Sequence, residues 1–208
     1  MTGCDTGVGK TRIGCALAAL AVSRGLSVRV YKPVETGCDP DPTDASLLAR
    51  AAGDARPLGE ICPLMLRAPI SPHAAARLEG VLIDPDALVR AAPTDGDLVL
   101  VEGAGGLLSP LNDELLMADL AAALALPLVV VVDDALGAIN RALLAVEAAR
   151  HRRLPIAAVV LNRTTAADPG PSTATHAQAI AHFGGVRVLG PFPFGATTDA
   201  LLSPLLPR

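Results

Sequence analysis

Apolar positions switch between helical and extended spacing along the whole chain. Lys10 to Arg24 has helical spacing and stops at Gly25, a suitable C-terminal residue. Leu26 to Tyr31 alternates as a short strand does. Thr43 to Ala52, opened by a capping Thr or Asp and closed by Gly53, predicts a second helix, and Ser71 to Glu79 and Asp84 to Ala92 predict two shorter ones. Asp97 to Val101 reads as strand, Glu114 to Leu126 as helix, Leu128 to Val132 as strand and Gly137 to Arg153 as a long helix. Pro155 to Leu161 is again strand, Ser172 to His182 helix, and Val186 to Leu189 a last short strand. Apolar strands between amphipathic helices imply an α/β fold, a mostly parallel sheet covered on both faces.

There is no repeat or long linker, and Asp168 to Pro171 reads as a loop, so residues 1–208 form one expected domain. The chain is 51% hydrophobic and 18% charged, with a mean hydropathy of +0.45, which excludes disorder. Its longest apolar run, Leu124 to Val132, is broken by Pro127 and falls short of the roughly 18–20 residues a membrane span needs. A net charge of −4 argues against a nucleic-acid partner, which would call for a basic stripe. Aromatic residues are 2% of the chain, so Ala, Val and Leu must build the core. Cys4, Cys15, Cys38 and Cys62 show no metal or redox spacing, and no signal peptide is read at the start; reduced thiols in a cytoplasmic protein are expected.

Of 17 basic residues only Lys10 and Lys32 are lysine. An ammonium is a compact point charge that suits a phosphate cradle, where a guanidinium is a broad fork. Lys10 closes Gly3-Cys4-Asp5-Thr6-Gly7-Val8-Gly9-Lys10-Thr11, just before a helix. Backbone N–H groups of such a loop converge on phosphate oxygens, the Lys reaches the β- and γ-phosphates, and the Thr hydroxyl can ligate Mg²⁺. The strict pattern has Gly where this chain has Cys4, so a glycine-rich turn with an incidental Gly-Lys-Thr is the bland alternative. Such a loop hangs from a buried strand, and only Met1 and Thr2 precede Gly3, so a first strand cut short at the N-terminus is expected.

Lys32 stands in Tyr31-Lys32-Pro33-Val34-Glu35-Thr36-Gly37, where Pro33 is expected to end strand pairing. Strand ends at the carboxyl edge line the ligand crevice of an open parallel sheet, which puts Lys32 beside the glycine-rich loop; a surface lysine is the alternative. Glu102, in Val101-Glu102-Gly103-Ala104-Gly105-Gly106, has the position of a carboxylate that holds Mg²⁺, or of a plain acidic strand cap.

Together these segments resemble the dethiobiotin synthase family, with Ser71-Pro72-His73 and Leu136-Gly137-Ala138-Ile139-Asn140 continuing the likeness in order along the chain. The resemblance implies a P-loop NTPase-like fold and an ATP- and Mg²⁺-dependent ligase. Such an enzyme carboxylates 7,8-diaminononanoate with CO₂ and closes the ring through a phosphorylated carbamate, in biotin biosynthesis. It implies that Lys10 and Lys32 are catalytic cations and that Thr11, Asp44 and Glu102 hold Mg²⁺. It further implies nucleotide contacts from Gly7, Val8, Gly9, Arg12, Gly103, Ala104, Gly105, Asn162, Pro193, Phe194 and Gly195. Thr6, Thr36 and Asn140 become substrate contacts, Asn140 across a homodimer. That dimer would also cover the apolar side of the Gly137 to Arg153 helix. Departures from the family's pattern are Gly7, Arg141 and Arg163.

His151, His176 and His182 read as surface residues and His73 as at most a pocket residue; no general base is evident. The alternatives are another P-loop amidoligase and a ParA/MinD-like nucleotide-switch ATPase. The former usually adds a glutaminase domain, for which there is no room. The latter carries an extra lysine where this chain has Asp5.

Overall fold

The computed structural model describes residues 1–166, 171–195 and 199–207. Its elements run β1 (Thr2–Gly3), α1 (Lys10–Ser23), β2 (Val28–Tyr31), β3 (Val34–Thr36), α2 (Thr43–Ala52), α3 (Leu58–Ile61), β4 (Leu64–Leu66), α4 (Pro72–Glu79) and α5 (Pro85–Arg90). They continue with β5 (Leu98–Val101), α6 (Met117–Leu124), β6 (Leu128–Asp133), α7 (Ala138–His151), β7 (Ile156–Asn162), α8 (His176–Gly184) and β8 (Val188–Phe192). Short 3-10 turns at Pro171–Thr175 and Asp199–Leu205 precede α8 and end the chain's described part.

Among the described residues every pairing between these strands is parallel, and one isolated antiparallel bridge joins Pro110 and Leu116. β1, β6, β7 and β8 form one ladder in that order, and β2 pairs with β5. The Met1 amine donates to the Val101 carbonyl, and Gly103 N–H returns a bond to Met1 O at 3.0 Å. β1 therefore sits between β5 and β6, giving the order β2-β5-β1-β6-β7-β8. Its two residues fill only the upper part of that interval. Below them lies an apolar cleft walled by Val99, Val101, Leu128, Val129, Leu120 and Leu124.

Burial explains why β6 tolerates an unbroken Leu-Val-Val-Val-Val run. Val129 and Val131 pack with Ile13, Leu17 and Leu48 of α1 and α2, whereas Leu128, Val130 and Val132 pack with Ala142, Val146 and Ile180 of α7 and α8. Successive side chains point to opposite faces, and both faces are covered.

Four expectations need correction. Pairing does not end at Pro33: β3 follows at once and pairs with β4 in a separate two-stranded sheet. The helix expected from Ser172 begins at His176, because a 3-10 turn occupies Pro171–Thr175. The helix expected from Glu114 starts at Met117, where the Asp119 carboxylate accepts the Leu116 N–H at 2.7 Å. The apolar side of α7 is not free for a partner, since Ala138, Ala142, Ala145, Val146 and Ala149 are buried within the chain's own core and only Leu144 of that helix is a largely exposed apolar residue. The loop expected at Asp168 to Pro171 lies outside the described residues up to Pro171, which opens the 3-10 turn.

Candidate functional site

The carboxyl ends of β1, β2 and β5 meet, and the segments leaving them build one polar cleft. After β1 the chain coils through Gly7 and Gly9, both at positive φ (75° and 89°). Gly9 is required twice over, because a Cβ there would also lie 2.2 Å from the Asn162 amide nitrogen. α1 then begins at Lys10, so its first unpaired N–H groups and its positive dipole end face the loop.

Lys10 is only 7% exposed and its ammonium donates to the Asp5 carbonyl at 3.0 Å. Burial draws its pKa below the ordinary lysine value, against the pull of Glu102. Thr11 donates its hydroxyl proton to Glu102 Oε1 at 2.9 Å.

Lys32 follows β2 and is 3% exposed, which removes the surface-lysine alternative. Its Nζ lies 2.7 Å from Glu102 Oε1, 3.2 Å from Asp44 Oδ2 and 3.4 Å from the Gly103 carbonyl. Burial alone would lower its pKa, but the two carboxylates outweigh that and hold it above the ordinary value. Lys32 is an ammonium.

Glu102 is fully buried at the end of β5, fixed by its N–H to the Tyr31 carbonyl at 2.9 Å. Its Oε1 carries both the Lys32 and Thr11 bonds, while its Oε2 has no hydrogen-bond partner. Asp44, 40% exposed at its side chain, stands in the first turn of α2. That turn is held from outside by Glu35, whose Oε1 accepts Asp44 N–H at 2.8 Å and whose Oε2 accepts Ala45 N–H at 2.9 Å.

The cleft is lined by Thr6, Gly7, Gly9, Lys10, Thr11, Lys32, Thr36, Asp44, Ala104 and Gly105 among the predicted residues. Glu102 lies behind Lys32 rather than on the cleft wall, and Gly103 supports Lys32 from below. A second group gathers at the end of β7. Asn162 donates to the Val8 carbonyl at 2.8 Å and accepts from Arg12, which also donates to the Pro193 carbonyl. Phe194 is 54% exposed next to Gly195, which has φ 71°. Asn140 is exposed near the start of α7 and lines neither this chain's polar cleft nor its neighbours.

Two functional-looking groups escaped sequence reasoning. Glu35 and Ser109 also line the cleft; Ser109 accepts the Gly106 N–H at 2.9 Å and pins the glycine-rich turn. His176 is not a surface residue: it is 3% exposed and bonds Asp134 at 2.9 Å, while Asp134 also pairs with Arg163 at 3.2 Å. His73 instead pairs with Asp113 at 2.8 Å, away from the cleft wall.

Chemically, the cleft offers two ammoniums, a helix N-terminus and a loop of backbone N–H groups toward an anion. Thr11 and Asp44 line the cleft with oxygen donors of the kind a hard divalent cation takes; Glu102 reaches toward them through Oε1, which it shares with Thr11 and Lys32, whereas its unpartnered Oε2 faces buried Gly14 of α1, 3.5 Å from where a Cβ would lie.

The profile of the AAA domain family matches residues 1–200. The ATP-dependent dethiobiotin synthetase BioD of Anaeromyxobacter dehalogenans (strain 2CP-C) is 46% identical over 185 residues, 87% of this chain and 82% of that one. The enzyme of the same name from Paramagnetospirillum magneticum (strain ATCC 700264 / AMB-1) is 42% identical over 210 residues, 100% of this chain and 93% of that one. A ParA family ATPase from Chlorobium tepidum TLS superposes with a TM-score of 0.55 at 16% identity, over 98% of this chain and 87% of its own. At that identity the likeness concerns the fold alone.

Proposed function

The chain belongs to the ATP-dependent dethiobiotin synthetase family, and from that membership we propose how its cleft works. The protein is an ATP-dependent ligase that joins CO₂ to 7,8-diaminononanoate and closes a cyclic urea. One amine of the substrate captures CO₂ as a carbamate. A carbamate oxygen takes the γ-phosphoryl group of ATP, releasing ADP, and the second amine then displaces phosphate as the ring closes.

The observation that carries this reading is the convergence of two buried lysines on one cleft at the ends of parallel strands. Charge in phosphoryl transfer spreads over the transferring oxygens, so fixed cations supply most of the catalysis. Lys10 binds the β- and γ-phosphates over the α1 N-terminus. Lys32, kept protonated by Asp44 and Glu102, faces the transferring phosphoryl group and the carbamate. Thr6 and Thr36 contact the diamine. Thr11, Asp44 and Glu102 would hold Mg²⁺, which when bound offsets phosphate charge. Gly7, Val8, Gly9, Ala104 and Gly105 wrap the phosphates, Gly103 backs Lys32, and Arg12 and Asn162 with Pro193 to Gly195 lie at the base.

Residues 1–208 act as one unit, in the cytoplasm, as a homodimer in which Asn140 of the α7 N-terminus serves the partner's substrate. Nucleic acid has no part in it. A nucleotide-switch role has only the shared fold behind it. The decisive experiment incubates the protein with ATP, Mg²⁺, bicarbonate and the diamine, and looks for the cyclic urea by mass spectrometry. ATP hydrolysis that is indifferent to the diamine would sink the ligase reading.

A further inference from the structure

α2 lacks the cap its first turn needs. The residue at its N-cap is Pro42, with extended backbone (φ −70°, ψ 121°) but no side-chain acceptor. Asp44 and Ala45 are the second and third helical residues, whose N–H groups an N-cap side chain normally satisfies. Here both are satisfied by one carboxylate from another element. Glu35, in the middle of β3 and 6% exposed, gives one oxygen to each at 2.8 and 2.9 Å.

The geometry points to Glu35 as a positioning residue for the metal ligand Asp44: a β3 carboxylate that caps α2 and so fixes the Asp44 side chain over Lys32. This deepens the reading of Asp44 as a Mg²⁺ ligand and rests on it. Both Glu35 oxygens are committed to backbone N–H groups at the positive end of a helix, so Glu35 is neither a base nor a metal ligand although it lines the cleft. The first-turn N–H groups it occupies are withheld from phosphate, which leaves the α1 N-terminus as the anion site. Without the cap, the turn carrying Asp44 loses both its fixed bonds and frays, and the 3.2 Å approach of Asp44 to Lys32 is no longer enforced.

The test compares Glu35→Gln, Asp44→Asn and the parent for Mn²⁺ binding, with free Mn²⁺ counted by electron paramagnetic resonance at saturating AMP-PNP. Loss of a residue that orients a metal ligand costs about tenfold or more in metal affinity. Glu35→Gln is expected to weaken Mn²⁺ by that factor and to raise the Mg²⁺ needed for half-maximal turnover in parallel, with nucleotide affinity in EDTA close to the parent's. Adding Pro42→Asp to Glu35→Gln puts a carboxylate at the local cap and is expected to restore much of the loss, which a general packing defect would not allow. If Asp44→Asn weakens Mn²⁺ but Glu35→Gln does not, the positioning role is wrong and the ligand reading stands. If neither moves Mn²⁺, the ligand reading falls and the positioning role with it.

Discussion

Replacing Lys32 by Gln removes the ammonium that two carboxylates hold, and the structure sets the size of the loss. Glu102 is fully buried and keeps only the Thr11 hydroxyl as partner once Lys32 is gone. Taking one member from a buried charge pair costs about 3–5 kcal/mol, and the lower end applies here because the Thr11 hydroxyl remains as a partner. The Asp44 pair adds less than about 1 kcal/mol, since that side chain is 40% exposed and water solvates it. Lys32→Gln should therefore lose about 3 kcal/mol, and at roughly 2–4 °C per kcal/mol for a chain of this size its melting temperature should fall by about 10 °C. Turnover measured well below that temperature should fall a hundredfold or more, as expected when one preorganised charge contact to a transition state is lost. The assay is a double-mutant cycle with Glu102→Gln, read by denaturant unfolding. Because the double variant leaves neither Lys32 nor Glu102 charged without the other, it should be more stable than the two single losses add up to, by about 2 kcal/mol. Losses that simply add would mean that Lys32 and Glu102 do not hold each other.

Asp54 offers a pH test. Burial pushes its carboxyl up, but the Arg56 guanidinium and the N–H groups of Val30 and Arg56 outweigh that and hold it below the usual value of 3.8. A depressed pKa gives stability that is full above the unfolded value and lost as pH falls through the folded one. Asp54→Asn should thus cost about 2 kcal/mol at neutral pH and flatten the fall in melting temperature below pH 4; superimposable acid limbs would refute the pairing. The thiols offer a second test, because burial pushes Cys62 up to about 12 and half-buried Cys15 up to about 11. At pH 8 the thiolate fraction of Cys15 is about one in a thousand, so Ellman's reagent should react slowly with the native protein and reach all four free cysteines only in denaturant. Rapid native labelling of Cys62 would contradict its burial. Finally, mixing inactive Lys10→Ala and Asn140→Ala variants should restore part of the activity if Asn140 works in trans. No recovery after demonstrated subunit exchange would confine Asn140 to its own chain.

The longer elements were legible because each buries one periodic face. β6 and α7 could be read from their apolar runs alone. β3, α3 and β4 were not, since three or four residues are too few to show a period and Pro33 advertises a break. At the candidate site, the glycines, both lysines and Glu102 stood out through fixed local spacing. Glu35 stood in plain view within the Lys-Pro-Val motif, yet its partners lie nine and ten residues on, and only the packing of β3 against the start of α2 joins them. His176 shows the same limit: its partner Asp134 is 42 residues away, and nothing in the spacing of either announces a buried pair.

The ParA family ATPase shares this chain's fold and nothing finer at 16% identity, so the reading of the cleft has to come from this chain's own strand ends. The two superpose over 98% of this chain with a TM-score of 0.55, which speaks for the overall architecture alone. A fold that delivers one lysine and a helix N-terminus to a phosphate is enough to bind it. Passing the phosphoryl group to a carbamate requires a second cation that is fixed in place and still charged when buried. Lys32 is proposed as that cation: Glu102, just after β5, and Asp44 of α2 face it, and Glu35 of β3 holds the turn that carries Asp44. Four side chains from three stretches of sequence, Lys32 with Glu35, Asp44 and Glu102, must agree before that one charge is fixed in place, so the proposed ligase chemistry lies with them rather than with the glycine-rich loop alone.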